Sequence, residues 1–215
     1  MRHPDLSLYL VTDRGLSPDR PLEEVVEEAV LGGVVIVQLR EKNTGNREFY
    51  ELAVKLKRVL SKHHVPLIIN DRLDIALAAD AEGVHLGQTD LALSISRKIL
   101  GPEKIIGLSV ETLQQAYDAN ETDADYIAIS PVFSTPTKTD TRQPFGIKGV
   151  KEVSSISKFP AVAIGGINAD NAGEVIRNGA AGIAVVSAIM AAASPLQAAA
   201  ELKKIIDKAK RNEAE

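Results

Sequence analysis

Pro66-Leu67-Ile68-Ile69-Asn70-Asp71 and, a little further on, Val84-His85-Leu86-Gly87-Gln88-Thr89-Asp90 follow one plan: a short apolar run that ends on a carboxylate. Runs this short read as strands, and their nearly continuous hydrophobicity implies burial on both faces, as in a parallel sheet covered by helices. Each aspartate then falls just past the carboxyl end of a strand, where parallel α/β sheets place their ligands. A carboxylate at the edge of an aliphatic interior needs a partner or a cation. Asp71 and Asp90 together suggest a site for a hard divalent ion, with Mg²⁺ carrying a phosphorylated substrate as the natural occupant.

The same pattern extends in both directions. Strands are expected at Leu8–Thr12, Val34–Leu39, Leu67–Asn70, Gly83–Leu86, Ile105–Val110, Tyr126–Ser130, Ala161–Ile164 and Gly182–Val186. Segments with helical spacing lie between them, such as Leu22, Val25, Val26, Ala29 and Val30, or Phe49, Leu52, Ala53, Leu56 and Leu60. Weaker helices are expected at Leu73–Ala79, Leu91–Leu100, Leu113–Ala119, Val150–Ile156 and Ala169–Arg177, and a clear one at Pro195–Lys208. Eight βα units fit an α/β fold of one (β/α)₈ TIM barrel spanning residues 1–215, because closure leaves no unpaired edge. A doubly wound open sheet is the alternative. The first strand is followed by no Gly-x-Gly-x-x-Gly, so the dinucleotide fingerprint is missing. Gly32-Gly33, Gly83, Gly165-Gly166, Gly179 and Gly182 flank strands, where tight turns are expected.

Composition narrows the function classes. The chain has 215 residues, 45% of them hydrophobic, enough for a substantial core in one domain. With no cysteine, thiolate chemistry and Cys-based metal sites are excluded. A formal charge of -4 gives no general attraction to nucleic acid or anionic membrane, so neither is an expected partner. No apolar stretch approaches the ~20 residues of a membrane helix. The start, Met1-Arg2-His3-Pro4-Asp5, lacks the flanks of a signal peptide, so the expected location is the cytoplasm. Small phosphorylated molecules are the expected partners, and the oligomeric state is left open, a homo-oligomer included.

The other strand ends carry matching chemistry. Gln38-Leu39-Arg40-Glu41-Lys42 closes strand two with an amide, a guanidinium and an ammonium. A lone Arg-x-Lys would read as a solvated loop, but beside paired aspartates the fork of Arg40 and the point charge of Lys42 suit a diphosphate. After strand six comes a long polar connection containing Thr135-Pro136-Thr137-Lys138, a length that in a compact domain is usually functional. Strand seven runs into Gly165-Gly166 and strand eight into Val186-Ser187, where many barrels offer backbone amides to a phosphate. Two phosphate sites emerge, one cationic with a metal and one lined by amides. The histidines make a poor metal site, and His85, within strand four, reads as a satisfied interior residue. Ser109 closes strand five without the His and acid spacing of a nucleophilic triad, so it reads as an orienting group.

Gln38 to Lys42, Asn70-Asp71, His85 to Asp90, Gly107-Leu108-Ser109, Thr135 to Lys138, Ala163 to Ile167 and Val186 to Ile189 resemble, in order and spacing, the thiamine phosphate synthase family. The likeness runs from Tyr9 to the last helix. It implies a transferase of thiamine biosynthesis on a (β/α)₈ barrel. The reaction would couple 4-amino-2-methyl-5-(diphosphooxymethyl)pyrimidine to 4-methyl-5-(2-phosphooxyethyl)thiazole, releasing pyrophosphate. By this resemblance Gln38, Leu39, Arg40, Glu41, Lys42, Asn70, Ser109 and Lys138 contact the pyrimidine diphosphate. Thr135, Pro136, Thr137, Gly166, Val186 and Ser187 hold the thiazole phosphate, and Asp71 and Asp90 hold one Mg²⁺ per subunit. The implied mechanism is dissociative, with Arg40, Lys42, Ser109 and Lys138 as catalytic residues. Thiazole tautomerases share the likeness but carry a catalytic histidine two residues after the Ser109 position, where this chain has Glu111. A non-catalytic phosphate-binding barrel would explain the phosphate loops but not the paired aspartates.

Overall fold

The structure, a computed structural model, describes residues 4–135 and 143–211. Eight parallel strands, β1 (Leu8–Val11), β2 (Ile36–Leu39), β3 (Leu67–Asn70), β4 (Gly83–Leu86), β5 (Ile105–Val110), β6 (Tyr126–Ile129), β7 (Ala161–Ile164) and β8 (Gly182–Val185), close in sequence order, with β8 paired to β1. The helices between them are α1 (Leu22–Leu31), α2 (Asn46–Lys62), α3 (Leu73–Ala78), α4 (Leu93–Leu100), α5 (Leu113–Ala119), α6 (Gly146–Ile156) and α7 (Ala172–Arg177), then α8 (Ser187–Met190) and α9 (Pro195–Arg211). The closed (β/α)₈ barrel is the expected one, and the open-sheet alternative falls with the β1–β8 pairing.

Strand period divides the core in two. Successive residues point to opposite faces, so Tyr9, Val11, Ile36, Ile68, Tyr126, Ala128, Val162 and Ala184 fill the barrel interior. Leu8, Leu10, Val37, Leu39, Leu67 and Ile69 pack outward under the helices. The helices answer with apolar stripes, Leu22, Val25, Val26 and Ala29 in α1 and Ala199, Leu202, Ile206 and Ala209 in α9. Every fully buried aliphatic side chain on either face contributes about 1.5–3 kcal/mol, and the outer layer holds most of them. The interior can therefore spare its upper end for polar residues.

Several boundaries differ from those expected. β2 starts at Ile36, because the Val34 amide bonds Ala29 O (3.1 Å) and so completes the turn out of α1. α7 starts at Ala172, not Ala169, since Asn171 Oδ1 accepts from Asn168 N (2.9 Å) and holds that stretch in a turn ahead of the helix. Gly83 and Gly182 are not turn residues: each opens a strand, where a β-carbon would overlap the carbonyl of Ile105 or of Leu6. Gly32 likewise lets α1 meet α9, against Leu196 and Ala199. No helix among the described residues is long and apolar enough to cross a membrane.

Candidate active site

At the carboxyl ends of the strands a cavity of about 530 Å³ opens above the interior layer, within the roughly 300–1,000 Å³ usual for small-molecule sites. Val11, Ala128, Val162 and Ala184 give it an apolar floor. The polar groups around the rim come from every quarter of the barrel.

Period two continues past the end of β2. Gln38, Arg40 and Lys42 line the cavity, and the residues between them do not. Leu39 is fully buried in the outer layer. Glu41 accepts from Arg14 Nε (3.0 Å) and Nη2 (2.9 Å) and from Thr44 Oγ1 (2.6 Å), which pins the loop after β2 to the one after β1. The Arg40 amide bonds Thr12 Oγ1 (3.2 Å), and its guanidinium has no ion-pair partner among the described residues.

Both aspartates stand on the same side as these cations. Asp71 has φ 62°, a left-handed conformation that short polar side chains tolerate. Its amide is anchored on His85 O (2.9 Å), and Lys42 Nζ lies 2.6 Å from its Oδ2. Asp90 folds back so that Oδ2 accepts from Gly87 N (2.6 Å). Burial first, and then the neighbouring Asp71 carboxylate, raise the Asp90 carboxyl above its ordinary range, against the pull of the Gly87 amide and of Lys42. A carboxylate whose charge is opposed by burial and by a neighbouring carboxylate fits a hard cation between the two. No cluster of three or more His, Asp or Glu ligands occurs among the described residues. A cation here would draw its remaining oxygens from substrate and water.

On the opposite wall the chain offers backbone. Gly165 (φ 107°) and Gly166 (φ 64°) turn β7 sharply, and a β-carbon at Gly166 would sit 2.7 Å from Ser134 O and 2.8 Å from Phe133 Cβ. The Gly166 carbonyl is tied back by Asn171 Nδ2 (3.0 Å). Beyond β8, Ser187 and Ala188 open α8, ahead of its first intrahelical bond from Ile189 N to Val186 O (3.2 Å), so their amides are without helical partners. Gly166, Val186, Ser187 and Thr135 all line the cavity. Pro136, Thr137 and Lys138 lie outside the described residues.

Asn70 and Ser109 reach the cavity from β3 and β5. Below Ser109 the barrel carries a polar chain that no local pattern announces. Gln38 Nε2 donates to Tyr9 OH (2.9 Å), which meets Tyr126 OH (2.9 Å). Tyr126 OH meets His85 Nδ1 (2.9 Å), and His85 Nε2 meets Ser109 Oγ (2.8 Å). His85 is thus a satisfied interior histidine, as expected, yet it also lines the site. Gln88, which lies inside the His85 to Asp90 motif without an assigned role and bonds Ser109 O (2.6 Å), and Asn171, outside every motif, are further cavity supports. The alternation of inward residues, applied strand by strand, is the signal that finds Tyr9, His85 and Tyr126.

A carboxylate pair with cations on one wall, faced by a glycine-rich amide cradle on the other, accords with the comparisons. The model of the family described as thiamine monophosphate synthase matches residues 8–189. The chain belongs to this family. The thiamine-phosphate synthase of Syntrophomonas wolfei is 52% identical over 205 residues, covering 95% of this chain and 98% of the relative. That of Albidiferax ferrireducens is 50% identical over 202 residues, covering 94% and 92%. The solved thiamine phosphate pyrophosphorylase of Pyrococcus furiosus superposes with a TM-score of 0.89 at 40% identity, covering 96% of this chain and 98% of that one. A 3-hexulose-6-phosphate synthase, at 16% identity and a TM-score of 0.67, shares the barrel fold alone. Within the thiamine monophosphate synthase family this chain is an enzyme, a transferase of thiamine biosynthesis.

Proposed function

We propose that this single barrel domain, acting in the cytoplasm, joins 4-amino-2-methyl-5-(diphosphooxymethyl)pyrimidine to 4-methyl-5-(2-phosphooxyethyl)thiazole, giving thiamine monophosphate and pyrophosphate. One observation carries the reading: the cation and carboxylate wall of β2–β4 and the amide cradle after β7 and β8 line the same cavity, as a reaction between two phosphorylated molecules requires. In this reading Gln38, Arg40, Lys42, Asn70, Ser109 and Lys138 hold the pyrimidine diphosphate, with Leu39 and Glu41 shaping the strand end behind them. Thr135, Pro136, Thr137, Gly166, Val186 and Ser187 hold the thiazole phosphate. Asp71 and Asp90 would hold one Mg²⁺, which when bound neutralises charge on the departing diphosphate.

The chain's own residues do the rest. Arg40 and Lys42 present positive charge to the leaving group, which stabilises the charge that develops as the carbon–oxygen bond breaks. The resulting pyrimidine-methyl cation lies over the apolar floor, and the thiazole nitrogen, held in place through its phosphate, captures it. No protein nucleophile is needed, and Ser109 serves to orient. Glu111, which lines the cavity, occupies the position where a tautomerase relative would place its catalytic histidine, so proton transfer on a thiazole is not favoured.

Incubation of the purified protein with both substrates and Mg²⁺ tests this reading. Thiamine monophosphate and pyrophosphate should appear in equal amounts. A folded protein that turns over neither substrate would overturn it.

A further inference from the structure

Five residues on five strands form one unbroken line of hydrogen bonds beneath the cavity: Gln38, Tyr9, Tyr126, His85 and Ser109. Three of them, Tyr9, Tyr126 and His85, have no part in the proposed chemistry, though the barrel builds room for them. Gly107 on β5 is in register with His85 on one side and Tyr126 on the other. A β-carbon at Gly107 would overlap the hydroxyl end of Tyr126 and crowd His85 Nδ1. The His85 and Tyr126 rings stack at 5.5 Å between centroids, and Tyr9 meets Tyr126 edge-on at 6.0 Å.

Counting protons gives the line a direction. Each tyrosine is buried and keeps its proton, since burial raises both phenols far above their ordinary range. Each hydroxyl can therefore donate once. With Gln38 Nε2 donating to Tyr9, the Tyr9 proton goes to Tyr126, and the Tyr126 proton goes to His85 Nδ1. His85 must then carry its proton on Nε2 and donate to Ser109 Oγ, which turns the Ser109 proton outward. At the other end, Gln38 gives one of its two amide hydrogens to Tyr9, which fixes the orientation of the amide and leaves Oε1 as an acceptor. With a neutral His85 the opposite direction is the only other arrangement, and it inverts both ends; a charged imidazole, donating from both nitrogens, would break the line in the middle.

We propose that the Tyr9–Tyr126–His85 line is a polarity lock: it couples Gln38 to Ser109 so that the cavity always offers an acceptor at one end and a donor at the other. The inference rests on the reading that the pyrimidine diphosphate binds in this cavity. Its consequence is specificity, because a 4-amino pyrimidine supplies a donor for Gln38 Oε1, whereas a 4-oxo analogue supplies an acceptor and faces another acceptor. The three residues position groups and do not touch the reacting atoms.

¹⁵N NMR of the imidazoles in the wild-type protein, with the His85 signal assigned by its loss in His85→Gln, reads the direction without any kinetics. A neutral ring protonated on Nε2 is expected. A proton on Nδ1, in either the neutral or the charged form, would overturn the lock. Tyr126→Phe keeps the ring stack and frees both ends. Its ratio of kcat/KM for the 4-amino over the 4-oxo substrate should fall about tenfold, the scale of one buried hydrogen bond, with KM for the thiazole phosphate unchanged. In Tyr9→Phe the ratio should fall as well, but His85 should stay protonated on Nε2, because Tyr126 still donates to Nδ1. An unchanged ratio in Tyr126→Phe would also overturn the proposal. Absence of turnover by the wild type would instead count against the functional reading, and the NMR result would still decide the direction.

Discussion

Lys42 and Asp71 form a contact across β2 and β3, ammonium to carboxylate at 2.6 Å, so one of the two proposed metal ligands already has a cation on one oxygen. The same lysine faces the cavity where the diphosphate would lie. In the proposed reaction it would turn to the leaving group once a divalent ion took over the carboxylate.

Replacing Lys42 with Met should therefore act in opposite directions on two measurements. Mg²⁺ binding to the substrate-free protein should tighten several-fold, since the competing cation is gone. Turnover should fall by about a hundredfold to a thousandfold, the usual loss for a contact that stabilises transition-state charge. Calorimetric titration of Mg²⁺ and steady-state rates check the two halves, and weaker Mg²⁺ binding in the mutant would show that Lys42 assists the ion.

Asp90 gives a pH-dependent prediction. Its carboxyl is raised, so the folded protein holds that proton more tightly than the unfolded chain does. Its contribution to stability is full below the ordinary aspartate range and is lost as pH rises through the raised value. At neutral pH the ionised Asp90 beside Asp71 opposes folding. Asp90→Asn should then raise the melting temperature of the metal-free protein at pH 7, but not at a pH below the ordinary aspartate range. Mg²⁺ should raise the melting temperature of the wild type further, and that rise should be absent in the mutant. Thermal melts in chelator and in Mg²⁺ at both pH values decide it.

Gly166→Val should selectively weaken the thiazole phosphate. The glycine's φ of 64° and its approach to Ser134 O leave no room for a branched side chain, so the turn must move and take its amide with it. We expect affinity for the thiazole phosphate to fall at least tenfold, about the scale of one lost charge-assisted hydrogen bond. Pyrimidine diphosphate binding should be little changed. Equal losses for both ligands, measured by calorimetry on folded mutant, would remove Gly166 from the phosphate cradle.

Away from the site, Arg97 Nη2 pairs with Asp125 Oδ2 at 2.7 Å, and the same oxygen accepts from Ile106 N (2.7 Å). Arg97 also donates to the carbonyls of Gly101, Lys104 and Asp123. The pair is largely buried, so Asp125→Ala leaves the Ile106 amide without this acceptor and the guanidinium, though still bonded to carbonyls, without the Asp125 charge. A loss of about 3–5 kcal/mol is expected, read by urea unfolding, with kcat unchanged below the melting transition.

How much of this was legible in the sequence depends on whether a feature is local. Leu67-Ile68-Ile69 or Ala161-Val162-Ala163 announces a strand by itself, and eight such runs sufficed for the barrel. Asp71 and Asp90 were legible because each closes its own run. Lys138 was named from its loop and lies outside the described residues. α8 was missed because four residues, Ser187–Met190, carry no amphipathic period. The Tyr9–Tyr126 bond joins residues 117 apart in sequence. Only the strand register brings them together, and period alone marks each as inward-facing without saying whom it meets. Leu39 and Glu41 show the converse: a motif read as one block is split by the pleat into alternate faces.

The pairing of β8 with β1 has a consequence for how the chain is made. During synthesis β1 emerges before the other seven strands and β8 after them, so Leu8–Val11 must wait with an open edge until all of them have left the ribosome. Gly182, seated against Leu6, is the point at which the ring shuts. A ribosome stalled before Gly182 would hold a nearly complete but unclosed sheet, the form of this protein most exposed to strand addition by a neighbour and most in need of a chaperone.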